Sequence, residues 1–372
     1  LQENERTNGR AEGNRHYSTY TEAFCRILIM DKDLKNKTLG ELEDIVENFG
    51  EKRYLAKYIF TFIHSKDTGQ ISNITPLSKA FRANLVEKGY YISHLNTVRT
   101  FSDPDGTIKY LFELDDGHRI ETVLLPDGKR KTLCVSTQAG CSMNCTFCAT
   151  AKLGFQRNLT AAEIVDQINV IQKDKGKINN VVYMGMGEPL QNYNSVIKSV
   201  HILNHPLGKR IGLRHLTIST CGITEGIRKL ADEDIHPRLA ISLNAPTDTL
   251  RSKIMPINKK CPIAALMSAV KYYQRKTQLR VTFEYVLIKG FNDSALHAQM
   301  LSRLVHKPKC NINLIEYNPY PLGSFEASSK ETIKRFVQIL EDTGIETTIR
   351  YKKGRKIKAA CGQLGADMLR EV

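Results

Sequence analysis

From Leu133 to Tyr351 short apolar runs alternate with amphipathic helical stretches, and this rhythm constrains the fold more than any other feature. The runs are "LCVST", "NNVVYMGM", "RHLTIST", "PRLAISL", "RVTFEYVLI", "NINLIEYNP" and "ETTIRY". Parallel strands need a crossover between them, and a helix is the usual one. Repeated β-then-α units therefore predict an α/β fold on a parallel sheet. Six or so units make an open or partial barrel, whose chemistry gathers at the C-terminal ends of the strands. Thr160 with Glu163 forms a capping box at the first intervening helix.

The rest of the chain reads differently. Residues 1–34 are predicted to be a poorly structured lead, because the first 20 are polar and aperiodic. Residues 35–92 read as a small helical domain, with Thr38 and Glu41 as a capping box ahead of Leu42, Ile45, Val46 and Phe49. Residues 93–132 hold three strand-like runs, the last two joined at Asp116-Gly117, and read as a β-connector. The barrel is expected over 133–350, followed at 351–372 by a basic loop with a cysteine and a terminal helix. No apolar run approaches the roughly 20 residues of a membrane span. The short stretch "AFCRILIM" carries Arg26 and lacks a cleavage site, so no export signal is read. Nine cysteines in such a chain point to thiols held reduced in the cytoplasm and used for metal or catalysis. The net charge of +15 is that of proteins that meet polyanions, although it also serves solubility.

Three of the cysteines, Cys141, Cys145 and Cys148, stand in "CSMNCTFC" just after the first strand of the array. Soft thiolates select zinc, copper(I) or iron–sulfur clusters. A structural zinc site wants four ligands, and neither a second CxxC nor a nearby histidine completes the set. Three cysteines on a tight loop suit three irons of a [4Fe–4S] cluster, with the fourth iron open to a ligand. The spacing, with Phe147 before the third cysteine, resembles the radical S-adenosylmethionine (SAM) superfamily. "MGMGEP", at the end of the second strand, offers Gly187 for close backbone approach and Glu188 as an acceptor for an ammonium. Alone, it would be an ordinary βα turn.

Further strings sharpen the resemblance. "LCVSTQAGCSMNCTFCAT", "GFQRNLTAAEIVDQI", "MGMGEPLQN", "SLNAP", "MPINKK", "EYVLIKGFND", "INLIEYNPYP" and "AACGQL" occur in order. From about residue 35 to the end, the chain resembles the RlmN/Cfr family of radical SAM RNA methyltransferases, and the RlmN branch more than Cfr. The resemblance implies a radical SAM partial (β/α)6 barrel, a [4Fe–4S] cluster and two SAM per turnover. It implies methylation at C2 of an adenosine in 23S rRNA, and in tRNA as well. That carbon is electron-poor and has no lone pair, so radical chemistry supplied by the cofactor replaces ordinary methyl displacement.

By the same resemblance, Cys361 accepts a methyl group from one SAM. A radical made from a second SAM abstracts hydrogen from that methyl, and the resulting carbon joins the adenine as a protein–RNA crosslink. Glu121 takes the place of the base that removes the adenine proton. Cys134 takes that of the thiol that resolves the crosslink and leaves a disulfide. Without the family, Glu121 reads as a solvent-facing strand glutamate, Cys134 as a buried strand cysteine and Cys361 as a small buried hydrophobe. SAM contacts carry over to Gly187, Glu188, Ser219, Ser242, Leu243, Asn244 and Asn318. Asn244 stands where many members have histidine, and still offers one donor and one acceptor.

Lys356 and Lys358 replace the acidic residues usual before the catalytic cysteine, and six of nine residues from Arg350 to Lys358 are basic. They are expected either to be solvated or to meet phosphate. Cys25, Cys221, Cys261 and Cys310 match no motif and are expected to be structural. The implied partners are RNA and a flavodoxin- or ferredoxin-type electron donor, with the protein a monomer. Three alternatives remain: a Cfr-like C8 methyltransferase, an RNA-binding protein that keeps a cluster without turnover, and a radical SAM enzyme acting on a protein or small molecule.

Overall fold

The computed structural model describes residues 32–305, 309–350 and 353–370. Most of the expected lead, with Cys25, lies outside them, as do Tyr351 and Lys352 of the basic loop. The chain divides into two compact units, 1–93 and 94–372.

The first unit holds α1 (Leu39–Asn48), α2 (Ala56–His64) and α3 (Lys79–Glu87). The capping box forms as expected: Thr38 accepts from the Glu41 amide, and the Glu41 carboxylate accepts from the Thr38 amide. Leu42, Val46, Ile59, Phe60, Ile63, Phe81 and Leu85 are its buried core. Asp33 and Leu34, assigned above to the lead, are buried here, with Asp33 bridged to Tyr91.

The second unit is built on one sheet. Its strands are β1 (Asn96–Ser102), β2 (Ile108–Glu113), β3 (Arg119–Asp127), β4 (Arg130–Cys134), β7 (Asn180–Tyr183), β8 (Leu216–Thr220), β9 (Arg238–Ser242), β10 (Val281–Leu287), β11 (Cys310–Glu316) and β12 (Thr347–Arg350), in that spatial order. β4 and the strands after it pair in parallel, the barrel arrangement expected from the βα rhythm. The segment expected as a connector is continuous with this sheet, because β3 pairs antiparallel with β4 through Val123↔Cys134. Helices α5 (Ala161–Lys175), α6 (Tyr193–Asn204), α7 (Thr224–Asp232), α8 (Asp248–Ile254), α9 (Ile263–Thr277), α10 (Ala295–Val305) and α11 (Lys330–Glu341) make the crossovers.

A two-stranded ribbon that the sequence reading missed, β5 (Gln138–Gly140) with β6 (Phe155–Asn158), brackets the cysteine loop and the short helix α4 (Ala149–Lys152). The expected terminal helix is a 3₁₀ turn at Met368–Arg370. Gly362 and Gly365, both at positive φ, turn the preceding chain instead of continuing a helix. Among the described residues, no helix is long and apolar enough to cross a membrane.

Candidate active site

The C-terminal ends of the parallel strands enclose a cavity of about 160 Å³. Cys141, Cys145 and Cys148 line it, with Gly187 and Glu188 after β7, Ser219 on β8, Ser242 and Asn244 at the end of β9, and Cys361. Residues spread over more than 200 positions of sequence therefore meet. Gly187 cannot be replaced here: its φ is +102°, and a Cβ would stand 2.6 Å from Gln138 Cβ.

Glu188 is buried. Its carboxylate accepts from the amides of Cys221 at 2.8 Å and Leu190 at 3.1 Å. Burial still leaves its pKa above the ordinary value. Burial likewise pushes the Cys141 thiol up to about 12 and raises Cys145 and Cys148. Among the described residues, no three His, Cys, Asp or Glu converge as one ion would require. Three thiols spread around one cavity fit a cluster, whose irons each take one ligand, better than a single zinc, which wants four on one ion.

The AACGQL segment is tied to the cysteine loop. The Ala149 amide donates to Gly362 O at 2.8 Å, and the Thr150 hydroxyl to Leu364 O at 2.7 Å. Asn318 donates to Cys361 O at 3.3 Å. Asn318, an expected SAM contact, does not line the thiol-lined cavity; it lines with Cys361 a second one of about 490 Å³, carrying Arg130, Arg214, His215, Arg238, Arg350 and Lys353. Cys361 thus belongs to both cavities. Cys134 is a free thiol buried on β4, electrostatically coupled to Cys361. Burial pushes both thiols up, and the Arg350 guanidinium opposes that rise at each.

Some expected residues sit elsewhere. Leu243 is buried and contributes backbone only: its amide donates to Glu284 O and its carbonyl accepts from Arg251. The Asn244 side chain is committed to the protein, accepting from the Val286 amide at 2.9 Å and donating to Met255 Sδ. Glu121 lines neither cavity, and it is not solvent-facing. Its carboxylate pairs with the fully buried Lys109 at 2.8 Å and accepts from the Gly365 amide at 2.8 Å. Lys109 also bonds Asp367 at 2.9 Å, and Asp367 in turn bonds Lys358. Lys358 is therefore neither simply solvated nor a spare phosphate contact; it ends a chain of four charges.

Several residues escaped the sequence reading. Cys221, expected to be structural, lines the cluster-side cavity. Glu284 lines it too, and Lys109 and Arg251 are wholly buried. Arg251 donates to the carbonyls of Leu243, Cys221 and Ser242, clamping the ends of β8 and β9. The available signal was a charged residue inside an otherwise apolar strand, as in "VTFEYVL" and "IKYLFE", because a charge is buried only with partners or a purpose.

A Radical SAM superfamily model matches residues 135–299. A model for the ribosomal RNA large subunit methyltransferase N-terminal domain matches residues 32–90. A radical SAM methyltransferase from Sphaerobacter thermophilus, solved by crystallography, superposes with a TM-score of 0.85 at 43% identity, over 90% of this chain and 99% of that one. The fold and the three-cysteine cavity thus define a radical SAM methyltransferase, a class that uses a [4Fe–4S] cluster and SAM. A probable dual-specificity RNA methyltransferase RlmN of Thermoanaerobacter sp. (strain X514) is 46% identical over 91% of this chain and 99% of its own length. The RlmN of Syntrophobacter fumaroxidans is 41% identical over 90% and 98%. The chain belongs to the RlmN family.

Proposed function

We propose that this protein methylates C2 of an adenosine in 23S rRNA, and in tRNA, through an S-methylated Cys361 and a transient protein–RNA crosslink. The observation that carries this reading is that Cys361 lines both the thiol-lined cavity and the basic one. A residue in that position can take a group from a cofactor on one side and deliver it to a polyanion on the other. Cys141, Cys145 and Cys148 would hold the cluster, and Glu188, Gly187, Ser219, Ser242 and Asn244 would border SAM, with Leu243 tying the end of β9 in place behind them. When bound, the cluster and SAM supply reductive cleavage of the sulfonium, with one SAM consumed for the methyl group and one for the radical.

The remaining work falls to the protein's own groups. Arg130, Arg214, Arg238 and Lys353 face the phosphates of a strand whose target base is splayed out, the form in which RNA bases are reached. Asn318 holds the Cys361 carbonyl. Cys134, which feels the charge of Cys361, attacks its sulfur. The Cys361 S–C bond breaks with its electron pair passing to the RNA-bound carbon, which takes a proton to become the methyl group. The disulfide left behind is reset by an external reductant, a flavodoxin- or ferredoxin-type donor being the implied electron source. Glu121 serves as proton acceptor once the contacts of the 353–370 segment that enclose it loosen. The reading places the protein in the cytoplasm, acting as a monomer.

The test is mass spectrometry of RNA treated with wild type and Cys134→Ala under anaerobic reducing conditions. Wild type is expected to yield 2-methyladenosine and Cys134→Ala an RNA adduct at Cys361. Product methylated at C8 would instead assign the Cfr-like reaction. A Cys361 that never carries a methyl group would leave a non-catalytic RNA-binding protein.

A further inference from the structure

Glu284 has a peculiar environment. It sits in the middle of β10, is only 5% exposed, and lines the same cavity as Cys361. One carboxylate oxygen, Oε2, accepts from the Ser219 hydroxyl at 2.9 Å. The other, Oε1, is buried and has no hydrogen-bond partner. A buried carboxylate oxygen left without a partner costs stability, so its place in a cavity wall asks for a use. The nearest cation is Arg350, whose Nη2 lies 3.6 Å from Oε1, beyond hydrogen-bond reach. Arg350 has another anchor: with the Asn313 amide oriented to satisfy both groups, its carbonyl accepts from Arg350 Nε at 3.3 Å and Nη2 at 3.2 Å.

Oε1 therefore stands free in the wall of the cavity that Cys361 also lines, with the Arg350 guanidinium 3.6 Å away. We propose that Glu284 is the general base that takes the Cys361 thiol proton when this cysteine accepts its methyl group. This rests on the reading of Cys361 as methyl acceptor. The charged and titratable groups facing the thiol are Arg350 on β12, Cys134 on β4, Cys148 of the cysteine loop and Glu284 on β10. Cys361 is exposed as a residue, but desolvation at the cavity wall still holds its thiol above its ordinary value, against the opposing Arg350 guanidinium. The thiolate is the nucleophile, so a base that takes the proton speeds the transfer.

The step balances. The Cys361 sulfur forms a bond to the methyl carbon of the sulfonium donor. The old carbon–sulfur bond breaks, and its electron pair leaves on S-adenosylhomocysteine. The thiol proton passes to Glu284 Oε1. Nothing is oxidised or reduced. Ser219 holds Oε2, which leaves Oε1 as the oxygen free to take the proton.

The experiment is a time course of Cys361 methylation in the absence of RNA. Protein isolated without cluster is reconstituted and given SAM, and the Cys361 peptide is followed by mass spectrometry across pH, with SAM binding measured alongside. For Glu284→Gln, the rate at pH 7 is expected to fall roughly 10²–10⁴-fold, the range for loss of a positioned base. It should climb again as pH approaches the thiol's own pKa, with SAM affinity and cluster absorbance unchanged. Glu284→Asp should restore part of the rate. A Glu284→Gln enzyme with the wild-type rate and pH profile would overturn the proposal. So would loss of SAM binding, which would make Glu284 a binding group. If wild-type Cys361 takes no methyl group at all, it is the function proposed above that fails.

Discussion

Lys109 has no exposed surface and bonds two carboxylates, Glu121 and Asp367. Burial raises the Glu121 pKa from 4.5, and Lys109 and the Gly365 amide only partly offset it. The folded pKa of Glu121 thus lies above the unfolded one. The contribution of this shift to stability is complete below the unfolded value and is lost as pH rises through the folded one. Lys109→Met removes the opposing charge and pushes Glu121 further up. The variant is expected to lose about 3–5 kcal/mol at pH 7.5, the usual cost of stranding one half of a buried pair. The loss should shrink toward pH 5 as the carboxylate takes up its proton. Thermal melts at the two pH values check this; a deficit independent of pH would dissociate Lys109 from the charge state of Glu121. Neither Lys109 nor Glu284 was legible as a buried charge, because each sits in a strand whose apolar neighbours dominate the pattern. Cys141, Cys145 and Cys148, which line one cavity, stood out as a group from spacing alone. Cys361, Cys134 and Glu121 were singled out only by resemblance, since nothing local distinguishes them.

The elements were legible where their pattern was long. The seven apolar runs after Leu133 each became a strand, and both predicted capping boxes formed. What escaped was set by contacts distant in sequence. β5 has three residues, too few for a period-2 pattern, and exists because the chain on either side of the cysteine loop pairs as a ribbon. The AACGQL segment takes its shape from its anchors. The amides of Gly354 and Lys356 donate to Asp105 and Asp103 in the β1–β2 turn at 2.8 and 2.9 Å. Gly354 has φ +69°, and a Cβ there would meet Ala359 Cβ and Thr107 Cγ2, each at 2.8 Å. Gly354→Ala is therefore expected to dislodge the segment at a cost of about 1–3 kcal/mol. SAM cleavage should survive while Cys361 methylation falls at least tenfold. Equal loss of both would mean that the damage extends to the cluster side.

At the scale of the whole molecule, the +15 charge gains a location. Arg130, Arg214 and Arg238 line the cavity that Cys361 shares, and their charges together hold the His215 pKa below its ordinary value, after the larger effect of its desolvation. Arg130 also pairs with Asp127 at 2.9 Å, an exposed contact that competes weakly with phosphate. A basic surface used only for solubility would bind RNA weakly and without regard to which charges are removed. A phosphate track loses affinity in proportion to the contacts deleted, and its salt dependence falls by about 0.7 in slope for each phosphate on a single strand. Replacing the three arginines with glutamine should lower the slope of log K against log salt by roughly 2. It should weaken RNA binding across sequences and leave methylation of Cys361 in the absence of RNA at the wild-type rate. An unchanged slope would place the RNA elsewhere on the protein and separate the basic cavity from substrate binding. A fall in Cys361 methylation would instead mean that these arginines shape the thiol's side of the wall.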